Sequence, residues 1–151
     1  MVDFICDLDG TVADCSHRMH WITTKPRNFK AFYSGIPYDR PIPHVINVVR
    51  NLIEWDNRVV FCTGRSIEYV DATTKWINDH ILYGISMEYD IFMREKQDFR
   101  PDNIVKEELL SEIKEAGYNP VFAFEDRSRV RDMWIRNGIF VFDVSQGKGD
   151  F

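Results

Sequence analysis

A chain of 151 residues has room for one domain with a substantial core and is too short for two of ordinary size. With 44% hydrophobic and 14% aromatic residues, its composition is globular and not disordered. Nineteen Lys and Arg against 24 Asp and Glu leave a net charge of −5, which argues against a general nucleic-acid coat protein but leaves room for a local basic patch.

Val2 to Cys6 is a short apolar run rich in β-formers, which predicts a buried strand. It ends in Asp7-Leu8-Asp9-Gly10-Thr11. Carboxylates at the C-terminal end of a buried strand stand where open α/β sheets bind ligands. Two that close ionise together only when a cation or a shared proton settles the charge, so a metal site is the first reading. Residues 12–44 lose the strand alternation and are expected to hold no sheet. From Cys15 to Tyr38 there is no Asp or Glu, while Arg18, Lys25, Arg27 and Lys30 alternate with Trp21, Phe29, Phe32, Tyr33 and Tyr38. Cations interleaved with flat rings suit a phosphate backbone and a stacking base. The same rings suit the private core of a small helical insert. Either way, the insert follows the carboxylates directly and can fold back over them.

Pro41 and Pro43 mark a boundary, after which Val45, Ile46, Val48, Val49, Leu52 and Ile53 give a helical apolar face. Val59 to Cys62 predicts a second strand, ending in Thr63-Gly64-Arg65, where a hydroxyl and free backbone amides can hold a phosphoryl oxygen. Residues 66–82 have helical spacing and Tyr89 to Met93 predicts a third strand. A charged loop then runs to Pro101. Asp102 is expected to N-cap a helix reaching about Ala116. Lys106 would fall in its first turn, where the helix dipole disfavours a cation unless an anion is near. Val121 to Phe124 predicts a fourth strand, ending in Glu125-Asp126-Arg127. A helix over 128–137 and a strand over 139–142 complete the pattern. Strand and helix alternating in this way predict an α/β fold, a parallel sheet with helices on both faces. Each chemical cluster follows a strand or opens a helix, so all four can meet at one edge.

Cys6, Cys15 and Cys62 form neither a CxxC pair nor a zinc spacing. No disulfide framework is expected, and a reducing, cytoplasmic setting follows. No apolar run approaches the roughly 18 residues of a membrane span, and Met1 opens no signal-peptide pattern, so a soluble protein without a membrane partner is expected.

Taken in order, Asp7-Leu8-Asp9-Gly10-Thr11, Thr63-Gly64-Arg65, Lys106 and Glu125-Asp126 resemble the four motifs of the haloacid dehalogenase-like (HAD) phosphatases, over essentially the whole chain. The second half is more specific. Arg94-Glu95 with Asp98, Ile104 to Glu108, Asp126-Arg127 with Met133-Trp134, and the final Gly149-Asp150-Phe151 resemble the 3′-phosphatase domain of bacteriophage polynucleotide kinase-phosphatase. Two positions depart conservatively, with Glu125 where that domain generally has Asp and Thr63 where it has Ser. No P-loop is present, so no kinase domain is expected within these residues.

The resemblance implies one Rossmann-like domain over 1–151, with a small cap insert at about 12–44. It implies a Mg²⁺-dependent phosphomonoesterase working through an aspartyl-phosphate. Asp7 would be the nucleophile and Asp9 the acid and base. Asp7, the Asp9 backbone carbonyl and Asp126 would ligate the metal, with Glu125 as a ligand or beside it. Oxygen ligands of this kind suit Mg²⁺ and argue against zinc. Thr63 and Lys106 would hold phosphoryl oxygens, helped by the backbone at Gly10 and Gly64. Arg65 and Arg127 are candidates for phosphate contacts or for structural ion pairs, and Arg18 and Lys30 for substrate contacts from the cap. The substrate would be a phosphorylated nucleic-acid end. The alternative is a 5′- or 3′-nucleotidase acting on free nucleotides, and a non-catalytic binding module that keeps the fold is a remoter one. Oligomeric state is not legible.

Overall fold

In the strand runs, neighbouring apolar residues must be buried on opposite faces, and the computed structural model, which describes residues 1–150, places them so. Phe4, Cys6, Val59 and Phe61 pack on one face, while Ile5, Val60 and Cys62 pack on the other. The elements in order are β1 (Asp3–Cys6), β2 (Ala13–Asp14), α1 (His20–Thr23), α2 (Phe29–Ser34), β3 (Arg40–Pro41), α3 (Pro43–Glu54), β4 (Arg58–Ser66), α4 (Val70–His80), β5 (Asp90–Arg94), α5 (Asp102–Glu115), β6 (Pro120–Glu125), α6 (Ser128–Arg136) and β7 (Phe140–Asp143). Phe151, the last residue of the C-terminal resemblance, lies outside the described residues.

β5, β4, β1, β6 and β7 form one parallel sheet in that order. β1 lies in the middle, so the aspartates beyond Cys6 emerge at the centre of the C-terminal edge. α3 and α4 cover one face through Ile46, Val49, Ile53, Trp76 and Ile77. α5 and α6 cover the other through Val105, Leu109, Ile113, Met133 and Trp134. Trp134 is fully buried, so truncating it to Ala would cost about 3–5 kcal/mol.

Four expectations are corrected. The 12–44 segment does contain sheet, because Ala13–Asp14 pairs antiparallel with Arg40–Pro41 and cinches the two ends of the insert together. Asp102 is the first residue of α5 and not its cap, since the N-cap position belongs to Pro101 and the Asp102 carboxylate is occupied by Arg94 and Arg127. Lys106 consequently falls at the start of the second turn, and its side chain is buried. The helical stretch from 66 also opens as a 3₁₀ turn, Ile67–Tyr69, before α4 begins.

Between its neck strands the insert is a cap of short helical turns, with Phe32 of α2 and Ile36 of the 3₁₀ turn Ile36–Tyr38 buried on its inner side. The Asn28 side chain accepts from Ala31 N at 3.0 Å and so starts α2. Trp76 of α4 donates to the Asp39 carbonyl at 2.9 Å, fixing the far end of the cap to the core. No helix among the described residues is long and apolar enough to cross a membrane.

Candidate active site

Asp7 leaves β1 with its backbone N donating to the Phe124 carbonyl at 3.2 Å, which extends the pairing with β6 as far as the site. Its two carboxylate oxygens are held separately. Lys106 Nζ donates to Oδ1 at 2.7 Å and Thr11 Oγ1 donates to Oδ2 at 2.7 Å. Lys106 also donates to Glu125 Oε2 at 2.9 Å. Glu125 is fully buried, and Trp134 Nε1 donates to the same oxygen at 3.3 Å, while the backbone N–H groups of Asp126 and Arg127 donate to its Oε1 at 3.2 Å each. Both oxygens of Glu125 are therefore engaged in placing Lys106 and the loop after β6.

Asp126 differs. Its Oδ1 is buried and has no hydrogen-bond partner, which is costly for a carboxylate oxygen. Oxygens of Asp7, Glu125 and Asp126 lie within 4.8 Å of one another. Burial, then Glu125, push the Asp7 carboxyl up to about 6. Burial, then Asp7 and Glu125, push Asp126 up to about 9. Burial works against the Lys106 charge, yet Asp7 and Glu125 hold its pKa well above the usual value. Three crowded carboxylates around that ammonium are short of positive charge, and the orphaned oxygen lies among them. An oxygen-only donor set with this deficit fits a hard divalent cation such as Mg²⁺.

The backbone leaves room for such a centre. Gly10 turns the chain after Asp9 with φ +84°, and a Cβ there would lie 2.0 Å from Asp126 Oδ2. Only glycine satisfies both conditions.

Asp9 points away from this cluster. Its Oδ1 accepts from Arg65 Nη2 at 2.6 Å, Arg65 Nε at 3.1 Å and Arg18 Nη2 at 2.8 Å. Burial would raise its pKa, but the guanidinium groups of Arg65 and then Arg18 hold it at about 2. Both arginines also bind the buried Asp39, at 3.1 Å and 2.6 Å. Arg18 is 1% exposed, so the expected substrate contact from it is corrected: its charge is taken by two carboxylates. Of the two readings of Arg65, the structural ion pair is the one seen.

On the β4 side, the ladder with β5 slips between Thr63 and Ser66, a bulge that turns Thr63 and Gly64 to the sheet edge. Thr63 Oγ1 accepts from Arg65 N at 3.2 Å. The Gly64 carbonyl accepts from Arg94 Nε at 2.8 Å. A Cβ on Gly64 would lie 2.7 Å from Asp102 Oδ1. Asp102 ties Arg94 to Arg127, whose Nη1 donates to Oδ2 at 2.6 Å.

These residues floor a cavity of about 570 Å³ roofed by the cap. Asp7, Asp9, Thr63, Lys106 and Asp126 line it from the core, and Lys30, Arg27, Phe29 and Tyr33 line it from the cap. The structure thus brings the predicted residues to one chamber except Gly10, which is not among its lining residues, and Arg18, which is buried behind its wall. Sequence reading passed over Asp39, Arg94 and Asp102 as site members and gave Thr11 no role of its own. Asp39 ends the acid-free stretch, which was the available signal for it.

Residues 3–151 match the family described as the phosphatase domain of polynucleotide kinase PNKP. Over 131 residues, 86% of this chain and 17% of the relative, the sequence is 32% identical to a protein of Autographa californica nuclear polyhedrosis virus described as a bifunctional polynucleotide kinase/RNA ligase. The solved structure of the Pnkp1/Rnl/Hen1 RNA repair complex contains a chain that matches all of this one over 44% of its own length, with 29% identity and a TM-score of 0.75. This chain therefore spans less than half of either relative. The D,D-heptose 1,7-bisphosphate phosphatase from B. bronchiseptica, solved with magnesium and phosphate, shares the fold alone, at 16% identity and a TM-score of 0.64 over 95% of this chain and 80% of that one. The family match runs nearly end to end and the motif residues meet at one sheet edge: the chain belongs to the PNKP-type phosphatase domains, phosphoric monoester hydrolases of the HAD fold.

Proposed function

We propose that the chain is a Mg²⁺-dependent 3′-phosphatase of nucleic-acid ends that works through a phosphorylated Asp7. The observation that carries the catalytic part is the buried group of Asp7, Lys106, Glu125 and Asp126 with its unpartnered Asp126 oxygen. Asp7, Asp126 and the backbone at Asp9 would hold Mg²⁺, with Glu125 beside them. A bound Mg²⁺ offsets the repulsion between the Asp7 carboxylate and the phosphate dianion.

The protein's own groups do the rest. An Asp7 oxygen attacks phosphorus as the bond to the 3′ oxygen breaks, and that oxygen takes a proton from Asp9. Asp9 then accepts a proton from the water that attacks the aspartyl-phosphate, releasing inorganic phosphate and restoring Asp7. Arg65 and Arg18 keep Asp9 ionised on their own. The arriving dianion raises its proton affinity by like-charge repulsion. Lys106, Thr63 and the backbone at Gly10 and Gly64 hold the phosphoryl oxygens, and Arg127 stands at the same wall.

A polynucleotide substrate is supported by the family and by the cap's cations and rings, which line the cavity above the carboxylates. The test compares kcat/KM on a 3′-phosphorylated oligonucleotide, its 5′-phosphorylated counterpart and a 3′-mononucleotide, each with Mg²⁺. The 3′-phosphorylated oligonucleotide should lead by tenfold or more. Equal rates on oligonucleotide and mononucleotide would favour a nucleotidase and end the proposal.

A further inference from the structure

α6 starts directly after Asp126 and Arg127, and its own sequence caps it poorly. Its N-cap residue, Arg127, makes no side-chain cap bond, and no acid stands in its first turn. Arg129 and Arg131 instead put positive charge near the positive end of the helix. The acid that compensates lies 22 residues further along the chain. Asp150 Oδ1 accepts from Ser128 N at 2.8 Å, and its Oδ2 accepts from Ser128 Oγ at 2.7 Å and from Arg129 N at 3.3 Å.

The chain after β7 is shaped to reach that point. Val144 N donates to the Glu125 carbonyl at 3.0 Å, prolonging the β6–β7 pairing to the edge of the site. Gln146 and Gly147, with φ of 55° and 76°, then reverse the chain, and Lys148 N closes the turn on the Ser145 carbonyl at 3.1 Å. Asp150 thereby joins the wall of the cavity that holds Asp7 and Lys106. A carboxylate there would oppose a phosphate substrate, but the first amides of α6 absorb its charge.

Two carboxylates therefore hold four consecutive amides. Glu125 Oε1 accepts from Asp126 N and Arg127 N, and Asp150 accepts from Ser128 N and Arg129 N. No hydrogen bond reaches Asp126 Oδ1, so the backbone on either side must aim that oxygen. We propose that Asp150 is a positioning residue for the metal centre: by pinning the start of α6 it holds the Asp126 carboxylate against Asp7. Mg²⁺ accepts only near-octahedral geometry at short range, so a small drift of Asp126 weakens it. The inference rests on the Mg²⁺ reading of the site and is independent of the substrate.

The experiment titrates Mg²⁺ calorimetrically into the full chain at pH 8, as wild type, Asp150→Ala, Asp150→Asn, Ser128→Ala and Asn137→Ala, and records Tm for each. Losing a group that orients a metal ligand typically costs 10–100-fold in affinity, so Asp150→Ala should raise the Mg²⁺ Kd by about tenfold or more. Asp150→Asn keeps a capping oxygen and should recover most of the loss. Ser128→Ala removes only the 2.7 Å contact and should weaken Mg²⁺ by about threefold, which decides the matter if Asp150→Ala does not fold. Asn137, at the other end of α6, donates to Glu107 Oε1 at 2.9 Å and to the Met133 carbonyl at 2.8 Å. Asn137→Ala should lower Tm and leave the Mg²⁺ Kd unchanged. Wild-type Mg²⁺ affinity in folded Asp150→Ala, or in Ser128→Ala, would mean that Asp150 merely caps a helix, and the proposal would be wrong. An equal loss of affinity in Asn137→Ala would overturn it as well, since any loosening of α6 would then suffice. Failure of the underlying reading shows separately, as a wild type that binds no Mg²⁺.

Discussion

Arg18 from the cap and Arg65 from the end of β4 grip the same two carboxylates, Asp9 and Asp39. Both guanidinium groups are buried, so the arrangement joins the cap to the acid–base residue and leaves neither arginine for solvent. Phe32 lies under the Arg18 guanidinium at 4.2 Å, completing its enclosure.

Arg18 and Lys30 should therefore behave as opposites. Arg18→Ala leaves the buried Asp39 to Arg65 and His17 alone and should cost about 3 kcal/mol, on the order of 10 °C in Tm, without altering the salt dependence of oligonucleotide binding. Lys30→Ala should leave Tm nearly unchanged and reduce the slope of log affinity against log salt by about one. Thermal unfolding and a salt titration of binding decide this, and the reverse pattern would return Arg18 to the substrate.

The carboxylate cluster predicts how pH and Mg²⁺ combine. Asp7 at about 6 and Asp126 at about 9 bind protons more tightly in the fold than at the ordinary value of 3.8. Their contribution is thus favourable at low pH and is lost as pH rises through about 6 and then about 9. Mg²⁺ competes with those protons. Added Mg²⁺ should raise Tm clearly at pH 8 and little at pH 5, measured by thermal unfolding with and without the ion. An equal shift at both pH values would contradict the metal cluster.

Gly10→Ala places a methyl where Asp126 Oδ2 lies and imposes φ +84° on a residue with a Cβ. Displacing Asp126 by that contact should lower kcat by roughly 100-fold. The Mg²⁺-induced Tm shift should fall with it. Unchanged kcat and metal response would show that Asp126 has no part in the centre.

Much of this was legible because the strands announce themselves: apolar runs that end in Asp7, Thr63 or Glu125 can only deliver those groups to one sheet edge. What stayed hidden is tertiary. Nothing local distinguishes Arg18, which meets Asp9 and Asp39 only when the cap closes, from Lys30, which faces the cavity. Asp102 has the sequence signature of a helix cap, and two arginines brought from β5 and the loop after β6 outcompete that local role. The β2–β3 neck is two residues on each side, too short for any periodicity to betray.

The central claim is that Asp7 is the phosphorylated group. Its direct test is phosphate release from a 3′-phosphorylated oligonucleotide, with Mg²⁺ saturating, by wild type and Asp7→Asn. Asn keeps the shape and can still meet Thr11 and Lys106, so Tm and circular dichroism should show a folded protein. Turnover should fall by roughly 10³-fold or more, and no acid-quenched phosphoprotein should form. A folded Asp7→Asn protein that keeps more than a few per cent of wild-type turnover would contradict the account.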